Sequence, residues 1–320
     1  MSTAPSPRLR AAGRSHPGLR RPNNEDRYSI VDTPAAGRAS TLAVIADGIG
    51  GHQAGEVAAE LAIETIVQKV AASNGKHPSK TLGQAFMEAN RRINQAAGAQ
   101  DSRHGMGTTC VAAWVLGERL YTASLGDSRL YLLRDGELRQ LTTDHTWVQE
   151  AIEAGALLPE QAKGHPNAHI VRRYLGSPRT EQPDFRIRMD ASESDRQAES
   201  HQGMPLRTGD RLLLCTDGLT DLVSNAEIAE ILRMPDLDVV LDTLIERANA
   251  RGGRDNITAV VLEAEDIPAP PPDDAPPDTP PNEKTRRDML LFGGFAALFV
   301  LGLCALTVLA VLGTYLWLRP

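Results

Sequence analysis

A basic excess is missing from this chain. Its 34 Lys and Arg residues face 41 Asp and Glu, for a formal net charge of -7. A nucleic-acid binder ordinarily shows the opposite balance. Aromatic residues are also scarce, at 4%, and five of the thirteen lie in the last 30 residues, so no base-stacking platform is expected. The three cysteines, Cys110, Cys215 and Cys304, stand far apart in apolar surroundings. They offer neither a disulfide framework nor a zinc spacing, and they suit a reducing compartment. No internal repeat stands out. Residues Met1 to Arg21 are rich in Pro and Arg without an apolar core, so no secretory signal is expected.

What is present is an ordinary globular balance, 41% hydrophobic and 23% charged over 320 residues, enough for a full core. One uncharged run of 30 residues stands apart, from Met289 to Leu318. About 20 apolar residues span a bilayer core, so the run predicts a single C-terminal transmembrane helix over 289–318. Lys284, Arg286 and Arg287 precede it, and Tyr315 and Trp317 sit near its far end. The positive-inside rule then puts the rest of the chain in the cytoplasm, as a single-pass protein of the inner or plasma membrane. Residues 264–288 form a linker with a basic flank. Ala264 to Glu283 holds eight prolines and six acidic residues, a composition that cannot bury a core. It reads as a spacer, with a Pro-rich docking motif as the alternative. Residues 1–14 are expected to be disordered, which leaves one domain over 15–263.

Within that domain, β-branched apolar runs predict strands at Thr41–Ala46, Thr108–Leu116, Leu120–Leu125, Arg129–Leu133, Arg211–Thr216 and Ile257–Leu262. Asp135-Gly136 reads as a hairpin turn. Helical periodicity marks Gly55–Ala71, Leu82–Ala97, Thr146–Ala154, Asn225–Arg233 and Leu237–Ala250. This order points to an α+β layered fold, not a regularly alternating parallel sheet. The stretch Gly155–Arg188 carries weak signals and is expected to be a mobile surface segment.

Acidic residues recur at strand ends. Asp47 follows LAVIA, Asp127 follows LYTASLG, Asp217 follows RLLLCT, and Asp255 precedes ITAVV; Asn24-Glu25-Asp26 precedes another short strand. Asp is a poor strand residue, so a single case would mean a turn. Several converging carboxylates repel unless a cation neutralises them, and oxygen-only donors select Mg²⁺, Mn²⁺ or Ca²⁺. Gly48 lets the backbone carbonyl approach such an ion. Capping and turn aspartates are the alternative.

The same residues carry a resemblance. Gly18, Arg21, Asn24, Glu25 and Asp26 form G-x-x-R-x-x-N-E-D. A-D-G-I-G-G-H-x-x-G-E runs from Ala46 to Glu56. G-M-G-T-T (Gly105 to Thr109), G-D-S-R (Gly126 to Arg129), T-D-G-L (Thr216 to Leu219) and D-N-I-T (Asp255 to Thr258) follow in order. Together they resemble the bacterial type 2C, metal-dependent PPM family of Ser/Thr protein phosphatases. The resemblance covers the whole domain and stops at the Pro-rich spacer. It implies an α-β-β-α sandwich of two mostly antiparallel sheets flanked by helices. It implies two Mn²⁺ or Mg²⁺ ions bridged by Asp47, with the Gly48 carbonyl on one and Asp217 and Asp255 on the other. Glu25 and Asp26 would hold metal-bound waters or touch the second ion, Asp127 would bind a weaker third ion, and Arg21 would grip the phosphate. The implied reaction is hydrolysis of phosphoSer and phosphoThr by metal-activated water, with no covalent intermediate. Phosphoprotein substrates are implied, among them a bacterial eukaryotic-like Ser/Thr kinase or its targets.

This chain departs from the pattern in its histidines. Some family members carry a His directly after the metal-binding Asp-Gly, where this chain has Ile49. His52, three residues on, is either the general acid or structural. His104 is expected in a surface loop. His169 is expected to be solvated, or to meet substrate or the third metal. Asp144 reads as a helix N-cap and His145 as structural. Two rivals stand beside the phosphatase reading: a regulatory module that binds without turnover, and a phosphoesterase for small molecules.

Overall fold

The computed structural model describes residues 8–266, except 34, 36, 37, 51–53, 101, 102, 104, 163 and 180. The strands in chain order are β1 (Arg8–His16), β2 (Arg27–Asp32), β3 (Ser40–Ala46), β4 (Gly48–Ile49), β5 (Gly107–Thr108), β6 (Cys110–Leu116), β7 (Arg119–Leu125), β8 (Arg129–Arg134), β9 (Glu137–Gln140), β10 (Met204–Pro205), β11 (Arg211–Cys215) and β12 (Ile257–Asp266). The helices are α1 (Ala54–Ala71), α2 (Pro78–Ala99), α3 (Trp147–Glu153), α4 (Pro159–Ala162), α5 (Asp195–Ser200), α6 (Asp217–Thr220), α7 (Asn225–Ile231) and α8 (Leu237–Ala250).

The strands build two five-stranded sheets and a small ribbon. One sheet runs β1-β12-β11-β8-β9, the other β10-β7-β6-β3-β2, and β4 pairs with β5. All of these pairings are antiparallel. Successive side chains of a strand point to opposite faces, so a strand buried on both faces reads as an unbroken apolar run. Strand β6 does this. Cys110, Ala112, Trp114 and Leu116 join one core cluster with α1 and α2. Val111, Ala113 and Val115 join a second cluster between the sheets. Strands β11 and β12 repeat the pattern. Leu212, Leu214, Val260 and Leu262 face inward between the sheets, while Leu213, Cys215, Ala259 and Val261 pack under α7 and α8. Three apolar layers therefore separate four layers of backbone, which is the expected α-β-β-α sandwich.

Local chemistry agrees with the elements. Asp135 and Gly136 both adopt positive φ, at 53° and 79°, as the two-residue turn between β8 and β9 demands. Ser224 and Glu227 close a capping box on α7, and Asp236 caps α8 through the Asp238 and Val239 amides.

Four expectations need correction. Residues 8–14 are not disordered. They lie in β1, which pairs with β12 from Arg8↔Asp266 to His16↔Ile257. Its Arg-rich sequence hid it, because an edge strand needs no continuous apolar face. Here Arg8 pairs with Glu265, Arg10 with Glu263 and Glu265, and Arg14 with Asp238 and Asp242. The domain also runs past 263: the Ala264 amide donates to the Asp210 carbonyl at 2.9 Å, and its carbonyl accepts from Gly209 at 2.8 Å. Asp144 does not cap α3. Thr146 does, accepting from the Gln149 amide at 3.3 Å. Finally, the C-terminal part of Gly155–Arg188 is not a free surface segment: Val171, Leu175 and Asp184 bridge to Thr146, Thr108 and Ser124.

The expected transmembrane run, most of the linker and residues 1–7 lie outside the described residues. Among the described residues no helix is long and apolar enough to cross a membrane. A fragment ending at residue 266 should melt several degrees above one ending at 263. The shorter fragment loses both Ala264 backbone bonds, each worth about 1 kcal/mol, and a domain of this size shifts by roughly 2–4 °C per kcal/mol. Equal melting temperatures would show that the domain closes at Glu263.

Candidate active site

The carboxylates converge because of strand register. In one sheet Arg27 faces Ala46, so Asp26 and Asp47, each one residue beyond, leave the same end. In the other, Cys215 faces both Ala259 and Arg129. That end carries Asp217 at the start of α6, Asp255 just before β12, and Asp127 in the β7–β8 turn.

Small polar residues lace these ends together. The Asp47 carbonyl accepts from the Thr109 amide at 2.9 Å and from Thr108 Oγ1 at 2.7 Å. Thr109 Oγ1 sits 2.7 Å from Ser128 Oγ, tying β3 to the Asp127 turn. Gly126 adopts φ 110°, and a Cβ there would overlap the Thr109 side chain. On the other sheet, Thr216 Oγ1 donates to Asp26 Oδ2 at 3.0 Å and accepts from the Thr258 amide at 3.1 Å. Asn256 accepts from the Glu25 amide and donates to the Pro17 and Asn23 carbonyls. The short motifs are thus the stitching of one site.

Its electrostatics are those of crowded acids. Burial, then the charges of Asp26, Asp217, Asp127 and Asp255, pushes the Asp47 carboxyl well above its ordinary range. Burial also raises Asp127, helped by Asp217 and Asp144. Asp26 rises to about 7, mainly through burial, although Thr258 and Thr216 hydrogen bonds oppose it. Asp217 rises to about 6, through burial and then the charges of Asp221 and Asp255. One oxygen, Asp26 Oδ1, is buried without a hydrogen-bond partner among the described residues. An all-oxygen set with an orphaned carboxylate oxygen fits hard divalent cations. Cys110 and Cys215 are buried and free, and burial pushes the Cys215 thiol up to about 12, so neither is a ready nucleophile.

The profile of the Protein phosphatase 2C family matches residues 12–260. This chain belongs to the protein phosphatase 2C family. The serine/threonine protein phosphatase PstP of Mycobacterium tuberculosis is 39% identical over 258 residues, which cover 81% of this chain and 45% of that protein. The chain therefore spans about half the length of that relative. The serine/threonine phosphatase stp of Listeria innocua is 34% identical over 260 residues, covering 80% of this chain and 96% of that protein. A crystal structure of M. tuberculosis PstP/Ppp superposes with a TM-score of 0.69 at 38% identity, covering 81% of this chain and 99% of that one. The PstP catalytic domain in complex with two manganese ions gives 0.66 at 38% identity, with the same coverage of 81% and 99%.

In this phosphatase 2C domain, Arg21 lies beside the acids. Its Nη2 donates to Asp255 Oδ2 at 2.7 Å, which with the Asp255 charge raises the guanidinium pKa. Gly48 is packed so closely that a Cβ would overlap Gly55 and approach the Glu25 carbonyl. Glu25 joins the same corner: a Cβ on Gly55 would reach Glu25 Oε2 at 2.5 Å. His52 and His104 fall outside the described residues. His145 is buried and structural, as expected. Its Nδ1 accepts from the Gly126 amide at 3.0 Å and its Nε2 faces Asp184 Oδ2 at 3.1 Å. Asp144 instead forms a forked pair with Arg129, with contacts of 2.6 and 3.0 Å.

The domain also holds a residue that sequence reasoning missed. Asp221 lies four residues after Asp217, one helical turn on, and that spacing was the available signal. His169 Nδ1 approaches Asp221 Oδ2 at 3.3 Å, and one ligand atom each from His169, Asp217 and Asp221 lie within 4.8 Å of one another. The exposed His169 is thus not simply solvated: it reaches the acidic centre.

Proposed function

We propose that this chain is a metal-dependent protein serine/threonine phosphatase using two Mn²⁺ or Mg²⁺ ions, with a weaker third. The observation that carries the reading is the convergence of buried Asp26 and Asp127 with half-buried Asp47, Asp217 and Asp255, with Arg21 beside them. PstP, bound to two manganese ions in one structure, supports the metal assignment. Asp47, the Gly48 carbonyl, Asp217 and Asp255 would hold the pair, Asp127 the third ion, and Glu25 and Asp26 the ions' waters. Bound there, such ions lower the pKa of water and neutralise phosphoryl oxygens. Arg21 offers a planar fork to the phosphate, which a lysine would meet only as a point charge. The lacing through Thr109, Thr216 and Asn256 keeps the carboxylates in place without rearrangement during turnover. The test is an assay of the full chain on phosphoproteins, phosphopeptides and nucleotides, with and without Mn²⁺. Metal-dependent turnover of phosphoSer and phosphoThr is expected. Turnover of nucleotides alone would favour the small-molecule reading.

Arg21→Ala should raise KM for a phosphopeptide by roughly 30-fold, about 2 kcal/mol at the low end for a desolvated charge pair. Unchanged kinetics would remove Arg21 from phosphate binding.

The anchor is part of the proposal. The uncharged run over 289–318 with Lys284, Arg286 and Arg287 before it supports a single-pass helix with the catalytic domain cytoplasmic. Confinement to a membrane raises the effective concentration of substrates held there, and a membrane-bound Ser/Thr kinase or its targets would gain most. Alkaline carbonate washing of membranes should leave the chain in the pellet. Release into the supernatant would mean that the run is not inserted.

A further inference from the structure

Arginines in this domain are mostly engaged. Near the centre, Arg27 pairs with Glu56 and Glu60, Arg129 with Asp144, and Arg251 with Glu227. Two arginines beside Arg21 are not. Arg20 and Arg254 are exposed, and neither has a hydrogen bond or ion pair among the described residues.

Their placement is fixed from both sides. The Leu19 amide donates to the Gly253 carbonyl at 2.7 Å, and Arg21 binds Asp255 at 2.7 Å. Arg20 is the middle residue of 19–21, and Arg254 is the middle residue of 253–255. A backbone bond between Leu19 and Gly253 and a side-chain pair between Arg21 and Asp255 thus place Arg20 and Arg254 on adjoining backbone segments. Gly18 (φ 74°), Gly252 (φ 112°) and Gly253 (φ 43°) make the close approach possible, and a Cβ on Gly18 would overlap the Asp255 carbonyl. Leu19, 62% exposed, stands on the same ridge.

We propose that Arg20 and Arg254 form an anion subsite that reads a second negative group on the substrate, close in sequence to the scissile phosphate. This rests on the phosphatase reading of the site. Arg21 is spoken for by the phosphate being removed and by Asp255. The two spare guanidinium groups carry charge and forked donors with no internal acid to satisfy them. Arg20 and Arg254 are the sequence neighbours of Arg21 and Asp255, so the anion they would read lies within a few residues of the scissile phosphate on an extended peptide, which advances about 3.3 Å per residue. Leu19 gives an apolar side chain between the two anions a surface to lie on. The anion is a second phosphate or a carboxylate. Forked arginine donors favour the phosphate.

The experiment uses the full chain with Mn²⁺ and phosphothreonine peptides that differ at one position within three residues of the phosphothreonine. That position carries Asn, Asp or a phosphonate that cannot be hydrolysed. At the best position the phosphonate should raise kcat/KM roughly tenfold over Asn and Asp by a smaller factor, with both gains falling as salt rises. In the Arg20→Ala/Arg254→Ala double variant both gains should collapse. In Arg20→Lys/Arg254→Lys the Asp gain should persist and the phosphonate excess should shrink. Arg196→Ala, which removes an exposed arginine of α5, serves as the net-charge control and should leave the gains intact. Gains that survive the double alanine change, or that fall equally in Arg196→Ala, would overturn the subsite. Fluorescence anisotropy on the same peptides tests it without turnover. Charge-dependent binding lost only in the double variant supports the subsite even if no peptide is hydrolysed, and that result would sink the phosphatase reading alone.

Discussion

Asp47→Asn is expected to abolish phosphate-ester hydrolysis while leaving the domain folded. Loss of a single preorganised electrostatic group typically costs about 10²–10³-fold, and on the proposed reading Asp47 would hold both ions, so the fall should be at least ~10³-fold. Asparagine keeps the backbone, and with it the bonds that Thr108 Oγ1 and the Thr109 amide donate to the residue 47 carbonyl. It also removes one of several mutually repelling, crowded carboxylates. The metal-free variant should therefore melt no lower than the metal-free parent. Calorimetry with EDTA and an assay with Mn²⁺ read the two effects separately. Retained turnover in Asp47→Asn, or full parental turnover after exhaustive chelation, would sink the metal assignment.

A second large effect concerns pH. Without metal, Asp26, Asp47, Asp127 and Asp217 all have carboxyl pKa values raised in the folded state. The unfolded chain holds ordinary aspartates near 4, so each group favours folding fully below that value and progressively less as pH rises through its folded value. For Asp26 the rise from 3.8 to about 7 corresponds to an ionisation penalty of roughly 4 kcal/mol at neutral pH. The chelated protein should therefore lose stability between about pH 4 and pH 7. Asp184 acts with the opposite sign. Burial disfavours its charge, but hydrogen bonds from His145 and Arg186 hold it well below the usual range, so its contribution is lost only as pH falls below the ordinary aspartate value. The windows barely overlap. Mn²⁺ should restore stability at neutral pH, because a bound cation favours the ionised form. A melting temperature that rises from pH 5 to pH 7 in EDTA would contradict the crowded-acid picture.

Much of the fold was legible because its central strands are buried on both faces. Runs such as Thr41–Ala46 and Arg211–Thr216 agree with the structure to within one residue. Asp135-Gly136 was legible for a different reason: two adjacent positive φ angles demand those residue types. Strand β1 was not legible. Its order comes from β12 and from cross-strand ion pairs, neither of which leaves an apolar pattern in its own sequence. Strand β9 (ELRQ) was hidden in the same way at the opposite edge. The acidic centre was readable as a set of strand-end aspartates, but not its stitching. Nothing local says that Thr216 would bond Asp26, or that Asn256 would tie down both Pro17 and Asn23. His169 and Asp221 meet only because the chain over 155–188 folds back, a long-range event that periodicity does not report.

The pairing of β1 with β12 also bears on how the domain comes into being. Arg14 faces Ala259, so β1 must wait for a partner strand that is made almost 250 residues later. At about 5–20 residues per second that wait is on the order of 10–50 s. Asp26 and Asp47 emerge early, but Asp217 and Asp255 arrive with the final helices and strand. No chain ending before Asp255 can gather the full carboxylate set, and such a chain also lacks the Asn256 and Thr258 stitches. On the proposed metal-dependent reading, ion binding would thus come late in biogenesis, after β12 has paired.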